Sequence, residues 1–335
     1  MKVRIHIALV LLLAITWTAA GADLSALKSQ IQSVIPQARG EVGVAIKHLE
    51  SGAEVLVNAD KRYPMGSTFK LPMVVELFYQ RAAGMISLDE RYELQPGDLH
   101  VGSGMIIAEY DPPGVQMDIH NLINLTMRIS DNSAADILLK RVGMENVNDR
   151  MKSLGLNTIH IDRNTQELIL DQSGLDYEKY GALPVREVRK LLDAIDPVTA
   201  ARANDRFNKT DKDLASPLDM NRLLEKLFNG EIVDRETSDR IIDVYLKECQ
   251  TGTARIPGLL PKETVVAHKS GSIGGSVNDT GIVFLPYNAG HLAITVLMRD
   301  AKASTAERER VIAEITRYAY DYFVTSDKTG KRAVK

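Results

Sequence analysis

The chain has 335 residues, of which 44% are hydrophobic and 25% are charged. This is an ordinary globular composition with enough apolar material for a core. The formal net charge of −3 at pH 7 argues against a nucleic-acid partner, which requires a basic surface. Because Cys249 is the only cysteine, no internal disulfide can form and the core alone must hold the fold.

The first 22 residues have the three parts of an export signal. Lys2 and Arg4 provide a positive start, residues 5–18 are apolar, and a small-x-small cleavage site ends at Ala22. The apolar run is shorter than the roughly 20 residues that a membrane-spanning helix needs. We therefore expect a signal peptide at 1–22, no stable membrane anchor after cleavage, and a periplasmic or secreted protein. An uncleaved anchor is the alternative.

Helical and strand patterns follow in a simple order. Apolar spacing predicts a surface helix over 23–37, and alternation predicts a hairpin of strands at 41–48 and 54–58. Residues 67–81 are apolar on almost every side, which is typical of a buried helix. Helical patterns then dominate to about residue 245; the clearest lie at 119–128, 133–142, 185–195, 218–228 and 235–247.

Strand patterns return near the end of the chain, before a last helix. The strands are predicted at 263–269, 280–285 and 291–298, the helix at 303–323. Strands from both chain ends can pair into one antiparallel sheet with helices on its faces, which gives an α+β fold with a separate all-helical lobe and a cleft between them. The predicted divisions are an α/β part (23–83 and 248–325), a helical part (84–247) and a disordered basic tail (326–335).

The first chemical motif is Ser67–Thr68–Phe69–Lys70. A spacing of three places both side chains on one helical face, so the lysine amine can take the serine proton. A serine at a helix N-terminus is also close to backbone N–H groups that stabilise negative charge. Alone the pattern is weak, because Ser25 to Lys28 has the same spacing on an exposed helix.

The second and third motifs are Ser130–Asp131–Asn132 and Lys269–Ser270–Gly271. Ser130 can pass a proton to a leaving nitrogen and Asn132 can bind a substrate amide; the alternative is an ordinary helix cap. We expect Lys269 and Ser270 to end a strand and to face an anion or an acyl carbonyl. Gly271 would then let a substrate backbone approach the strand edge. The alternative is a plain turn with a surface lysine.

Together the three motifs resemble the class A β-lactamases and the related penicillin-binding DD-peptidases, over nearly all of 42–322. The resemblance implies a β-lactamase/transpeptidase-like fold, acylation of Ser67, and proton transfer by Lys70 and Ser130. It implies an oxyanion hole formed by the N–H groups of Ser67 and Ser272. It also implies that the substrate carboxylate is held by a group of three residues: Lys269, Ser270 and Arg255.

Arg255 could equally be an ordinary surface arginine. The resemblance implies no metal and no organic cofactor. It also implies a small-molecule β-lactam or a peptidoglycan stem peptide as substrate, and we expect a monomer.

The loop that supplies the deacylating glutamate in class A enzymes departs from the pattern Arg-x-Glu-x-x-Leu-Asn. Without gaps from Arg163, Thr165 takes the place of the glutamate and Ile169 that of the asparagine, and neither side chain is a base. If two residues are inserted, Glu167 and Asp171 fit instead. Both alignments remain open.

The position of Glu167 separates two functions. With Glu167 in the site, a β-lactam ester on Ser67 would be hydrolysed, because water attack needs a base within reach. With Glu167 in solvent, the ester would persist, as in a DD-peptidase that acts on cell-wall peptides. A catalytically idle binding protein is disfavoured by the intact motifs. The long segment 170–216 is expected at the cleft rim.

Overall fold

The computed structural model describes residues 23–110 and 112–330. The predicted signal peptide at 1–22 and the end of the predicted tail at 331–335 lie outside the described residues. Within the described part of the chain, no helix is both long and apolar enough to cross a membrane.

Five long strands form one antiparallel sheet in the order β2-β1-β9-β8-β7. Two small ladders pair β3 with β6 and β4 with β5. The strands are β1 (Glu41–His48), β2 (Glu54–Val57), β3 (Tyr63–Pro64), β4 (Arg91–Glu93), β5 (Gln116–Asp118), β6 (Leu214–Ala215), β7 (Val266–Ile273), β8 (Ser276–Phe284) and β9 (His291–Arg299).

Helices cover both faces of the sheet and form the lobe beside it. They are α1 (Ser25–Val34), α2 (Lys70–Ala82), α3 (Ile106–Glu109), α4 (Ile119–Arg128), α5 (Asn132–Val142), α6 (Met144–Ser153), α7 (Thr165–Ser173), α8 (Tyr177–Tyr180), α9 (Val185–Asp193), α10 (Pro197–Phe207), α11 (Pro217–Asn229), α12 (Arg235–Arg240) and α13 (Thr305–Gly330). A π-helical turn, Ile241–Leu246, extends α12. The predicted fold class is confirmed: one antiparallel sheet is built from both chain ends, with helices on its faces.

The central strand β9 shows why both faces of the sheet are apolar. Ile294, Val296 and Met298 belong to the core that includes α1 and α13. Ala293 and Leu297 belong to the core shared with the helical lobe. Because side chains alternate along a strand, one continuous apolar sequence can fill two cores.

Helix α2 lies at the centre of the lobe, and every residue from Lys70 to Phe78 is buried. This confirms the prediction of a buried helix from its all-round apolar pattern. Lys70 and Glu76 are the charged residues of this buried stretch, and a charged side chain is rarely buried without partners.

Several elements differ from the sequence predictions. Strand β7 continues past Lys269 to Ile273, because its ladder with β8 runs on to the pair Ile273–Ser276 and leaves only a two-residue turn. The small ladders were not predicted, since strands of two or three residues have no readable alternation. Helix α13 continues to Gly330, seven residues beyond its predicted end and into the predicted tail, because no glycine or proline precedes Gly330 in that stretch to end the helix.

Substitution of Ile294 by alanine tests the central position of β9. Ile294 is fully buried, so removing its side chain should lower the free energy of unfolding by about 2–5 kcal/mol. Urea unfolding followed by circular dichroism measures the loss. Val198 in α10 is 59% exposed, and V198A should change stability by no more than about 0.5 kcal/mol. Equal losses in the two variants would contradict this account of the core.

Candidate active site

Ser67 lies in a tight turn, Gly66–Phe69, that leads directly into α2. Strand β7 passes against this turn at Gly271. A β-carbon at Gly271 would lie 2.7 Å from both Met65 O and Thr68 N, closer than real side chains come. Gly271 therefore makes room for the turn that carries the nucleophile. The sequence instead predicts that the missing side chain makes room for a substrate backbone.

Lys70 reaches from the start of α2 to the second motif. Its Nζ donates to Ser130 O at 2.7 Å, to Asn132 Oδ1 at 2.9 Å and to Asp131 O at 3.3 Å. It also lies 3.2 Å from Ser130 Oγ. The structure shows these contacts for Lys70 and none between its amine and the Ser67 hydroxyl.

The hydroxyl of Ser130 is held between two lysines. Lys269 Nζ donates to Ser130 Oγ at 3.0 Å and to Ser270 O at 2.8 Å, and Lys70 approaches the same oxygen from the other side. With two lysine nitrogens as donors to its oxygen, Ser130 can direct its own proton into the cleft. This geometry suits transfer of a proton between an amine and a substrate atom.

Both lysines are fully buried, and burial lowers the pKa of each ammonium group. The pKa of Lys70 lies well below its ordinary value, first because of burial and then because of the nearby positive charge of Lys269. Burial lowers the pKa of Lys269 to about 8. Lys70 is therefore suited to act as a neutral base, while Lys269 keeps its charge at neutral pH.

The second motif is both a helix cap and part of the site. Asp131 Oδ1 accepts the N–H of Ala134 at 2.9 Å and caps α5. The backbone of Ser130 takes a left-handed conformation with φ of 60°, which L-residues rarely adopt and which commonly marks a functional position. The cap holds Ser130 and Asn132 on either side of Lys70, so the two alternatives of the sequence analysis coexist.

A buried ion pair lies behind Lys269. His268 Nδ1 is 2.9 Å from Asp279 Oδ1; burial disfavours its charge, but the Asp279 carboxylate outweighs burial and raises the pKa of His268 to about 10. Burial likewise opposes the Cys249 thiolate, but the hydrogen bond and charge of His268 lower the pKa of that thiol to about 6. His268 is absent from the cleft wall.

Arg255 is buried below the third motif and braces two strands. Its Nη1 donates to Gly271 O at 2.9 Å and to Asn278 O at 2.8 Å, and its Nη2 donates to Ser272 Oγ at 2.8 Å. Its Nε lies 3.2 Å from Glu309. These four contacts leave one of the five guanidinium N–H groups for a ligand. Arg255 is thus a buried residue of the cleft floor, unlike the surface arginine considered as the alternative.

Apart from Glu167, the predicted site residues converge on one cleft of about 330 Å³. Its wall combines all three motifs with a few residues from other segments. It is lined by Ser67, Phe69, Gly102, Ser103, Ser130, Asn132, Thr165, Leu168, Ile169, Thr251, Gly252, Arg255, Ser270, Gly271, Ser272 and Ile273. Lys70 and Lys269 do not line this wall themselves. Each contacts Ser130, which does.

Glu167 lies apart from this group. Helix α7 presents Thr165, Leu168 and Ile169 to the cleft. Glu167 is only partly buried; burial raises its pKa, and the nearby charges of Arg163 and Lys212 oppose the shift. The structure thus places Thr165 in the cleft wall. Thr165 is the residue that the gap-free alignment puts at the glutamate position.

The segment 171–212 supports α7 from outside the cleft and contributes no residue to the cleft wall. Arg163, which precedes α7, donates its Nε to Asp213 Oδ2 at 2.5 Å and also contacts Asp171. Its guanidinium carbon lies 5.2 Å from the ring centre of Phe207 in α10. Asn208 Oδ1 accepts the N–H of Gly275 in the β7–β8 turn. The segment therefore packs behind α7, and its Asn208 also contacts the β7–β8 turn beside the cleft-wall residue Ile273; its expected position at the cleft rim stays a prediction.

Sequence reasoning missed three polar residues at or next to the cleft. Ser103 Oγ donates to Ser130 O at 2.7 Å, Thr251 Oγ1 lies 2.7 Å from Ser270 Oγ, and Asp136 lies directly behind Thr165. Each is single and lies outside a motif. Asp136 alone had a readable signal, since it follows Asn132 by one helical turn on α5.

Comparison with known proteins places this architecture in context. The model of the beta-lactamase enzyme family matches residues 26–323. Beta-lactamase VEB-1 of Pseudomonas aeruginosa is 27% identical over 334 residues, which cover 97% of this chain and 99% of that relative.

Solved structures agree with this match. A beta-lactamase from Chitinophaga pinensis superposes with a TM-score of 0.71 at 29% identity, covering 89% of this chain and 99% of that one. TLA-3 extended-spectrum beta-lactamase superposes with a TM-score of 0.73 at 27% identity, covering 90% of this chain and 99% of that one. The resemblance seen in the motifs is confirmed over the whole domain.

Substitution of Gly271 by alanine tests the close approach of β7 to the Ser67 turn. The added methyl group would contact backbone atoms that cannot move away without displacing the turn. We expect a loss of about 1–3 kcal/mol in the free energy of unfolding, together with slower labelling of Ser67 by a fluorescent penicillin. Gly97 has open space around it, so G97A is the matched control. Normal labelling of G271A would show that the contact does not position Ser67.

Proposed function

Because the chain belongs to the beta-lactamase enzyme family, we propose that it is a serine hydrolase that opens the β-lactam ring through an ester on Ser67. One observation carries this proposal: Ser130 Oγ is within hydrogen-bond reach of both Lys70 and Lys269 and lines the same cleft as Ser67. A nucleophile, a buried amine base and a proton-transfer hydroxyl thereby meet at one place.

Acylation begins with removal of the Ser67 proton by the neutral amine of Lys70, three residues further along the same helical start. Ser67 Oγ forms a bond to the ring carbonyl carbon, and the bond from that carbon to the ring nitrogen breaks. The nitrogen takes the proton of Ser130, and Ser130 takes the proton that Lys70 received. Charge on the carbonyl oxygen is stabilised by the backbone N–H groups of Ser67 and Ser272.

The substrate carboxylate is held at the opposite wall of the cleft. Lys269 supplies positive charge from behind, and the hydroxyls of Ser270 and Ser272 line the wall. Arg255 orients Ser272 through its Nη2 contact and adds its one unused N–H group. Asn132 binds the amide of the substrate side chain through the second proton of Nδ2, since the first goes to Val101 O at 3.0 Å.

A DD-peptidase that acts on peptidoglycan stem peptides is the second candidate. One observation favours it: Glu167, the nearest glutamate in the loop sequence, lies outside the cleft wall. The same Ser67 ester would form with a β-lactam, but its hydrolysis would be slow. The lifetime of the ester therefore separates the two functions.

We further propose that residues 1–22 direct export and that the mature domain acts as a monomer in the periplasm or the medium. The composition of the N-terminal segment supports export. No metal or organic cofactor enters the proposed chemistry, because the buried lysines supply the base and the charge.

Intact mass spectrometry of the mature protein with benzylpenicillin tests the proposed function. We expect an increase equal to the mass of benzylpenicillin, located on Ser67, with penicilloate accumulating as the adduct decays. The S67A variant should show neither product. No adduct and no penicilloate with folded protein would refute the proposal, and a stable adduct without penicilloate would assign the DD-peptidase function.

The pH dependence of acylation tests the role of Lys269. Its pKa of about 8 leaves Lys269 positively charged below pH 8 and neutral above it. The second-order rate constant for acylation by benzylpenicillin should therefore fall as the pH rises through about 8, because attraction of the substrate carboxylate is lost. The matched controls are the methyl ester of benzylpenicillin, which should not show this fall, and K269R, in which arginine stays charged and the fall should disappear. A common fall for acid and ester would contradict the assignment.

A further inference from the structure

Thr165 occupies the position on α7 where the family pattern has its glutamate, and it joins the cleft to a carboxylate behind it. Thr165 is 3% exposed and lines the cleft with Ser67. Its hydroxyl donates to Asp136 Oδ2 at 2.7 Å, and its backbone N–H donates to Asp136 Oδ1 at 2.8 Å. A hydroxyl in this arrangement has its proton committed to a carboxylate and a lone pair free on the cleft side.

Asp136 is itself fixed in place by two further contacts. His100 Nδ1 lies 2.5 Å from Asp136 Oδ2, and the N–H of Gln166 lies 3.3 Å from the same oxygen. Asp136 is 6% exposed, so its carboxylate reaches the acyl-ester cleft only through Thr165.

A separate cavity of about 510 Å³ opens on the far side of this carboxylate. Its wall includes Asp136, His100, Asn164 and Tyr177. Asp136 therefore lies between two openings, one that holds Ser67 and one that holds the His100 ring. This arrangement gives a proton a path from the first opening to the second.

We propose that Thr165, Asp136 and His100 form a proton relay that activates the water for hydrolysis of the Ser67 ester. The inference rests on the proposed function and concerns its second step, hydrolysis of the Ser67 ester. Thr165 is the catalytic group that contacts the water, whereas Asp136 and His100 act through it as positioning residues. Threonine is not a base by itself, but it can pass a proton to a carboxylate that is.

Hydrolysis of the Ser67 ester consumes one water molecule. The water oxygen bonds to the ester carbonyl carbon, one water proton moves to Thr165 Oγ1, and the proton of Thr165 moves to Asp136 Oδ2. The bond between Ser67 Oγ and the carbonyl carbon then breaks. The second water proton returns to Ser67 Oγ, the product leaves as a carboxylate, and Asp136 releases its proton to solvent on the His100 side.

Glu167 is the competing base, and its surroundings argue against it. It follows Thr165 by two residues, which turns its side chain about 200° around the helix axis. The charges that act on it are those of Arg163, Lys212, Asp213 and Asp171, and none of these four residues lines the cleft.

Removal of the Thr165 hydroxyl tests the relay. Acylation and deacylation are measured separately with benzylpenicillin, by rapid quench and by decay of the adduct mass. T165V should keep its acylation rate and should lose about 10²-fold in deacylation rate, and T165S should recover most of that loss. Thr126 is fully buried and its hydroxyl has no partner among the described residues, so T126V is the matched threonine-to-valine control and should deacylate normally.

A proton inventory in mixtures of H₂O and D₂O separates a relay from a structural role. Wild-type deacylation should give a curved plot, because two protons move together, and T165V should give a linear one. D136N should also slow deacylation, with folding checked by thermal unfolding.

Unchanged decay in T165V, equal loss in T126V, failure of T165S to recover, or a wild-type adduct that never decays would each overturn the relay. Slower decay in E167Q with normal decay in T165V would assign the base to Glu167. Absence of both an adduct on wild-type Ser67 and penicilloate in solution would instead overturn the proposed function itself.

Discussion

The structure depends on the burial of two lysine side chains around one serine hydroxyl. Lys70 and Lys269 are both fully buried, and burial of a charge is costly unless the group is hydrogen-bonded. The carbonyl and hydroxyl of Ser130 supply much of that bonding. To present both groups at once, Ser130 takes a left-handed backbone conformation, which the Asp131 cap and the Ser103 hydroxyl stabilise. The local strain and the low pKa of Lys70 are thus two results of the same constraint.

This constraint also explains why the site lies where the two parts of the chain meet. Lys70 comes from the helix that follows the first strands, Lys269 comes from the edge strand β7, and Ser130 comes from the helical lobe. The seam between β7 and the Ser67 turn is closed only because Gly271 has no side chain. Catalysis therefore requires the sheet, the buried helix and the lobe to be in register to within a fraction of an ångström.

The fold and the motif residues can be predicted from the sequence because short, contiguous patterns encode them. Strand alternation, the all-round apolar helix and the three motifs each need only neighbouring residues. The choice between Glu167 and Thr165 needed the rotation of α7, which groups Thr165, Leu168 and Ile169 on one face, and a loop sequence with two alignments does not encode it. The contact of His100, Asp136 and Thr165 joins residues 29 and 36 positions apart, and only the packed fold brings such residues together.

The buried contact between Arg163 and Asp213 has a consequence for how this chain can change over evolution. The two residues lie 50 positions apart. Their contact holds together the two ends of the segment that runs from α7 to the start of β6. Lengthening or shortening a loop that is already closed costs little, because closure entropy grows only with the logarithm of its length. The region that carries α8, α9 and α10 can therefore accept longer or shorter loops between its helices, while the packing of these helices keeps the catalytic face of α7 in place. It is a natural insertion point at which lineages can diversify the outer surface without revising the chemistry.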